Sequence, residues 1–352
     1  MKSFDTTGLI RQHLKDLVPY SSARDDFKGV ASVYLDANEN PFNTGLNRYP
    51  DPHQSELKKA LCQIKNVTPE NIFIGNGSDE AIDLLFRTFC EPGKDNIITL
   101  PPTYGMYKVS AKINNVTAKE VLLDEFFDVD VTQTLAQVDT NTKLIFLCSP
   151  NNPTGNSLSR TAIKKILTDF NGLVVVDEAY IDFSSLNSLT EWIQSFPNLI
   201  VLQTLSKAWG LASARIGLCI ASKPIIDVIN KIKPPYNISG PDQQKALQAL
   251  EQERAMKELV EQIKLQRLWL INELNKILKV VFAVYPSDAN FLMVKGIDAN
   301  KIYQFLSEAG IIVRNRSKEP NCENCLRITV GTEVENQLLI QKLNEYAKNI
   351  IP

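Results

Sequence analysis

The sequence predicts an α/β protein: a large domain built on a mostly parallel sheet covered by helices on both faces, followed by a smaller α+β domain at the C-terminal end. Three observations predict it. Between Asn71 and Ile220, short continuous apolar runs alternate with helical stretches, and strands that are apolar on both sides belong to sheets buried on both faces. At Lys233-Pro234-Pro235 that alternation breaks, and a long helical period followed by mixed strands and helices takes over. The 352 residues are enough for about two domains at roughly 150 residues each.

The elements follow in order. Residues 1–30 read as an N-terminal arm, with a helix over Thr7–Leu17 and then a polar stretch. Residues 31–236 form the expected large domain. Its strands are Ile72–Ile74, Ile97–Leu100, Leu144–Cys148, Leu173–Val176, Leu199–Leu202 and Ile216–Ile220, with helices such as Glu80–Phe89 and Thr161–Phe170 between them. Residues 237–352 form the smaller domain. There Pro241 opens one long helix, or two in series, towards Lys279, because Met256, Val260, Ile263, Leu270, Leu274 and Ile277 recur at helical spacing. Strands near Val281–Tyr285, Asn290–Val294, Ile311–Arg314 and Leu326–Val330, and helices over Asn300–Ala309 and Glu335–Lys348, complete it.

A net charge of −2 gives no basis for a nucleic-acid partner, though a few local arginines can still hold an acidic or phosphorylated small molecule. Neither a signal-peptide pattern nor an apolar run of about 20 residues occurs, so a cytoplasmic location without membrane association is expected. Most of the six cysteines sit in apolar contexts and read as small buried hydrophobes. Cys322 and Cys325 form a C-x-x-C, but a zinc site needs four ligands, no second pair exists, and His13 and His53 are far away in sequence; no metal is expected.

The residues that carry chemistry lie where the apolar runs end. Lys207 follows one such run between Leu205 and Trp209, where partial desolvation lowers a lysine's pKa and frees a nucleophilic amine. Thr204 and Ser206 place hydroxyls beside it, and Arg215 follows among small residues. Together these suit a phosphorylated aldehyde: the amine bonds the aldehyde and the others hold the phosphate. Asp177 ends another run, at the strand end where parallel α/β sheets bind ligands. A carboxylate there can pair with a protonated pyridine nitrogen, and Tyr180 can reach the ring's phenolic oxygen. Asn152 sits in a loop fixed by Pro150, Pro153 and Gly155. Gly77, Ser78 and Asp79 open a helix whose backbone N–H groups can take an anion. Tyr104 can stack on a planar ring. Arg327 lies on a predicted strand and Arg314 ends the preceding one; arginine clamps carboxylate or phosphate with two parallel bonds. Taken singly, each of these also has a plainer reading: a turn residue, a helix cap, a core tyrosine for Tyr104 or a surface ion pair, and for Gly75–Glu80 a nucleotide site, although the third glycine of the dinucleotide fingerprint is lacking.

Taken together, the order Tyr49, Gly77-Ser78-Asp79, Tyr104, Asn152, Asp177-x-x-Tyr180, Ser206-Lys207, Arg215, Arg327 resembles the fold-type I, aspartate-aminotransferase-like family of pyridoxal-phosphate enzymes. Val18-Pro-Tyr20, Leu35–Pro41, Asn47–Pro50, Pro101–Tyr107, Val175–Phe183 and Cys325–Thr332 are similar, more narrowly, to the branch that acts on histidinol phosphate. The resemblance implies roles. Lys207 would bond the aldehyde of pyridoxal 5′-phosphate, Asp177 would bind its pyridine nitrogen, and Asn152 with Tyr180 its 3′ oxygen. Tyr104 would stack on the ring. The Gly77-Ser78-Asp79 backbone, Thr204, Ser206 and Arg215 would hold the phosphate. Tyr49 would reach the phosphate of a partner subunit's cofactor, which implies a homodimer with shared sites. Arg327 would clamp the glutamate carboxylate, and Arg314 and Tyr20 would help hold the substrate's phosphate.

The implied reaction moves the amino group of L-histidinol phosphate to 2-oxoglutarate, giving imidazole-acetol phosphate and L-glutamate in histidine biosynthesis. An aromatic or broad-range aminotransferase and a threonine-phosphate decarboxylase are the rival enzymes. A non-catalytic cofactor-binding regulator is the rival of another class, and it would carry a basic DNA-binding module that this sequence lacks. Cys322, in the loop between Arg314 and Arg327, departs from common members of the family.

Overall fold

The computed structural model describes residues 6–21, 24, 27, 29 and 31–350. Its first sheet has seven strands: β1 (Ile72–Asn76), β2 (Asn96–Thr99), β3 (Thr117–Glu120), β4 (Thr142–Cys148), β5 (Leu173–Asp177), β6 (Leu199–Thr204) and β7 (Ile216–Ala221), in the spatial order β1-β7-β6-β5-β4-β2-β3. All the pairings from β6 to β3 are parallel, and β7 alone runs antiparallel to both its neighbours. The runs are apolar on both sides because both faces are covered. In β4, Leu144 and Phe146 face one buried cluster while Ile145 and Leu147 face the other; Leu173/Val175 and Val174/Val176 of β5 divide the same way. That alternation is the period of a strand. The expected α/β class with a mostly parallel, doubly covered sheet is therefore the one observed.

Helices α1 (Ser55–Lys65), α2 (Gly77–Phe89), α3 (Met106–Ile113), α4 (Val131–Ala136), α5 (Arg160–Asp169) and α6 (Lys223–Ile232) connect or cover these strands. Ser159 caps α5 by accepting the Ala162 N–H, and Asp130 caps α4 by accepting the Gln133 N–H. The helical period beyond Pro241 resolves into two helices in series, α7 (Gly240–Leu250) and α8 (Glu253–Leu274).

The second sheet is antiparallel, ordered β10-β11-β9-β8, from β8 (Val281–Val284), β9 (Phe291–Gly296), β10 (Arg314–Asn315) and β11 (Cys325–Thr329). It carries α9 (Ala299–Glu308) and α10 (Glu333–Ile350). Leu292 and Val294 of β9 face its own core, while Phe291 and Met293 join the core of the first sheet. One strand thus ties the two sheets together, which brings β11 near the site.

Two expectations differ from what is seen. Thr7–Leu17 is not a continuous helix; only Gln12–Leu14 forms a short 3-10 turn. Docking outweighs the local period there: the Arg11 N–H donates to the Thr88 carbonyl at 3.0 Å, and Leu9 and Ile10 pack on the core. The strand expected over Ile311–Arg314 is reduced to β10, because only Arg314 and Asn315 find partners, opposite Arg327 and Leu326.

Candidate active site

The carboxyl ends of β4, β5 and β6 lie side by side, with Cys148 opposite Asp177 and Asp177 opposite Leu202. Because β7 is antiparallel, it starts at this same edge, and Thr204 stands opposite Gly217. That reversal sets Arg215 beside the start of α2. Gly77 takes φ +74°, and its N–H donates to the Arg215 carbonyl at 2.6 Å. Glycine is required at two places here. A Cβ on Gly217 would collide with the backbone of Gly77 and Ser78, and a Cβ on Gly77 would collide with the Arg215 guanidinium. No side chain among the described residues caps α2, a 13-residue helix whose first residues, Gly77, Ser78 and Asp79, line the cleft, so N–H groups of its first turn can take an anion.

One cavity gathers Gly77, Ser78, Asp79, Tyr104, Asn152, Asp177, Tyr180, Thr204, Ser206, Lys207 and Arg215. Sequence reasoning named all of these. The Thr204 hydroxyl donates to the Ile216 carbonyl at 3.1 Å and stands 3.0 Å from the Ser206 hydroxyl. Arg215 reaches Asp79 at 3.4 Å, and Asp79 accepts the Tyr104 hydroxyl at 3.0 Å.

Lys207 opens onto the cleft, with its Nζ 5.8 Å from the centre of the Tyr180 ring. Enough protein surrounds the ammonium that desolvation, then Arg327, then Arg215 hold its pKa below the ordinary lysine value, with Asp177 and Asp79 opposing. Asp177 is only 2% exposed. Burial pushes its carboxyl pKa up; the Tyr107 hydroxyl, donating at 2.6 Å, and the Ala179 N–H, donating at 3.0 Å, pull it down. No cation among the described residues forms an ion pair with it. A buried carboxylate without a cation is costly, and a protonated heterocyclic nitrogen placed there would supply the missing charge.

On the opposite wall the Asn152 amide donates to the Tyr180 hydroxyl at 3.3 Å, and its oxygen accepts from Arg327 at 2.6 Å. Arg327 lies over the Phe291 ring. Arg314 stands directly opposite Arg327 across the β10–β11 pair and is exposed. Tyr20 and Tyr49 do not line the cavity. Tyr20 is 70% exposed; Tyr49 stacks on Tyr236 at 4.5 Å, and its N–H is held by the Glu39 carboxylate at 2.7 Å. Two residues were missed from the sequence. Tyr107 reads as a core aromatic, although its spacing of three from Tyr104 puts both on one side of a helical turn. Arg316 offers no signal beyond being a third arginine near Arg314.

Chemically, the arrangement can offer an amine of lowered pKa, a buried carboxylate to face a protonated ring nitrogen, backbone N–H groups for a phosphate and, beside Asn152, Arg327 for a second anion. A family model described as aminotransferase class I and II matches residues 25–343. The chain is 52% identical over 348 residues to a histidinol-phosphate aminotransferase of Cytophaga hutchinsonii, covering 98% of this chain and 100% of that one. It is 54% identical to one of Bacteroides thetaiotaomicron, covering 96% and 98%. Among solved structures, a histidinol-phosphate aminotransferase from Sinorhizobium meliloti in complex with pyridoxal-5′-phosphate superposes with a TM-score of 0.80 at 25% identity, over 87% of this chain and 85% of that one. The chain belongs to the class I and II aminotransferases.

Proposed function

We propose that this aminotransferase transfers the amino group of L-histidinol phosphate to 2-oxoglutarate, using pyridoxal 5′-phosphate, in the cytoplasm. The identity to histidinol-phosphate aminotransferases over nearly the whole chain supports the substrate. The observation that carries the reading is that Arg327 donates to Asn152, which lines the cavity holding Lys207; the anionic end of a substrate would sit there.

The cavity fits the cofactor on its own chemistry. Among the described residues Asp177 has no ion-pair partner and α2 no side-chain cap, and Gly77 and Gly217 let the start of α2 come close to Arg215 and β7. Lys207 would bond the aldehyde, Asp177 would hold the ring nitrogen protonated, and Asn152 with Tyr180 would donate to the 3′ oxygen. The backbone of Gly77, Ser78 and Asp79, with Thr204, Ser206 and Arg215, would hold the phosphate, and Tyr104 would cover the ring. When bound, the cofactor supplies an electron sink for the carbon that loses its proton.

The chain's own residues do the rest. Lys207 would take up and give back a proton at the substrate carbon, a task that suits a lysine of lowered pKa. Arg327, with Arg314 and Tyr20, would hold the substrate's phosphate in one half-reaction, and Arg327 the carboxylate of 2-oxoglutarate or glutamate in the other. Arginine's planar fork accepts both anions. Residues 31–236 would hold the cofactor and residues 237–352 would complete the substrate end, with residues 1–30 as an arm. Tyr49 would complete the site of a second copy, making the active unit a homodimer.

The test is substrate discrimination. With 2-oxoglutarate as acceptor, L-histidinol phosphate should give a higher kcat/KM than L-phenylalanine or L-tyrosine. A preference for the aromatic amino acids, or carbon dioxide released from O-phosphothreonine, overturns the assignment.

A further inference from the structure

Arg316 belongs to no role assigned above, yet it reaches the same amide as Arg327. Its Nη2 lies 3.4 Å from the Asn152 Oδ1 that Arg327 holds at 2.6 Å. Its side chain is 16% exposed, and its Nε is buried with no hydrogen-bond partner among the described residues. A buried donor without a partner is costly unless a ligand supplies the acceptor. Two features hold it there. The Arg316 N–H donates to the Cys325 carbonyl at 2.8 Å, extending the β10–β11 pairing by one step. A tight turn, closed by the Glu319 N–H on the Arg316 carbonyl at 2.9 Å, then brings the Glu319 carboxylate to 3.2 Å from Nη1.

The charge count is informative. Arg314, Arg316 and Arg327 gather at this corner. Glu319 is the one carboxylate paired with any of them among the described residues. Two positive charges are left over. A carboxylate neutralises one of them, whereas a phosphate monoester, with its second pKa near 6, is a dianion at neutral pH and neutralises both. Guanidinium groups bind such an anion in paired, charge-assisted hydrogen bonds.

We propose that Arg316 is a specificity-determining residue that binds the dianionic phosphate of the amino substrate and contributes little to the carboxylate of the second substrate. This rests on the reading of the phosphorylated amine as substrate. Arg327 serves both anions, Arg316 only the doubly charged one, and Glu319 holds Arg316 in place and offsets its charge while the smaller anion is bound.

The holoenzyme and its Arg316→Gln and Arg316→Lys variants test this in separate half-reactions. Arg316→Gln should raise KM for L-histidinol phosphate roughly tenfold or more, in line with the loss of a charge-assisted bond. The L-glutamate half-reaction, and the slow reaction of unphosphorylated L-histidinol, should stay within about threefold, a difference below the usual worth of one such bond. Arg316→Lys should recover part of the loss. The pH profile adds a readout that a structural role would not move. In the parent enzyme, KM for L-histidinol phosphate should rise as pH falls below about 6 and the phosphate becomes a monoanion, and Arg316→Gln should flatten that rise. Calorimetric binding of L-histidinol phosphate to Lys207→Ala chains, with and without Arg316→Gln, should show the same loss without turnover. An equal loss in both half-reactions, or none in either, overturns the proposal. A parent enzyme that does not convert L-histidinol phosphate overturns instead the substrate reading beneath it.

Discussion

Tyr107 donates its hydroxyl proton to Asp177 at 2.6 Å, and neither side chain meets solvent to any useful extent. Tyr107 is fully enclosed, stacked on Phe146 at 4.7 Å and edge-on to Tyr104 at 5.5 Å. The stack fixes the hydroxyl, the hydroxyl fixes the carboxylate, and the carboxylate faces the cavity that holds Lys207. Tyr107 is thus a positioning residue for Asp177.

Tyr107→Phe should keep the fold, because the ring packing is retained. It should weaken cofactor binding by about 1.5–3 kcal/mol, the usual worth of a hydrogen bond to a charged group. Equilibrium dialysis of pyridoxal phosphate against the variant measures it. Cofactor affinity equal to that of the parent chain would remove Tyr107 from the site.

The pKa of Lys207 should respond to its arginine neighbours. Desolvation lowers it most, and Arg327 is the next cause. The neutral amine is the reactive form, so Lys207 of the cofactor-free protein should acetylate at lower pH than an ordinary lysine does. Arg327→Gln removes one depressing charge, so the pKa should rise and the acetylation profile should move to higher pH. Mass-spectrometric labelling across a pH series reads the midpoint. A midpoint that stays put or falls would contradict the electrostatic account.

Arg327 and Arg314 should separate by half-reaction. Arg327→Ala should impair both, at about 2–5 kcal/mol each, by analogy with truncating one partner of a desolvated charge pair. Arg314, exposed on the facing strand, should matter more for L-histidinol phosphate than for L-glutamate. Single-turnover rates for the two amino donors give the comparison. Equal losses in Arg314→Ala would assign it a general rather than a phosphate-directed role.

Tyr49 stands outside the cavity of its own chain, and so does its stacking partner Tyr236. If Tyr49 completes the site of a second copy, mixing Tyr49→Phe chains with Lys207→Ala chains should generate hybrids with one intact site. Activity after mixing and reassembly should exceed the sum of the two homodimers. No gain on mixing would show that each chain's site is its own.

Much of this was legible in the sequence because burial on both faces leaves an unmistakable mark. β4, β5, β6 and β7 are continuous apolar runs, and their ends carry Asp177 and Thr204 where ligands bind such sheets. β3 was not legible: Thr117–Glu120 is an edge strand with no fully buried residue, so it offers no apolar run. Thr7–Leu17 misled because its docking on the large-domain core is a long-range effect that local periodicity cannot register. The cavity residues came from strand ends and from family resemblance. Tyr107 and Arg316 escaped because their meaning lies in what they touch: a buried carboxylate 70 residues away for one, and an amide 164 residues away for the other.

The central claim is that Lys207 carries the cofactor, and reduction tests it most directly. Borohydride treatment of the purified holoenzyme, followed by proteolysis and peptide mapping, should fix the pyridoxyl label on the peptide containing Lys207, and Lys207→Ala should retain its fold but take no label. A label on any other lysine, or undiminished labelling of Lys207→Ala, would contradict the account.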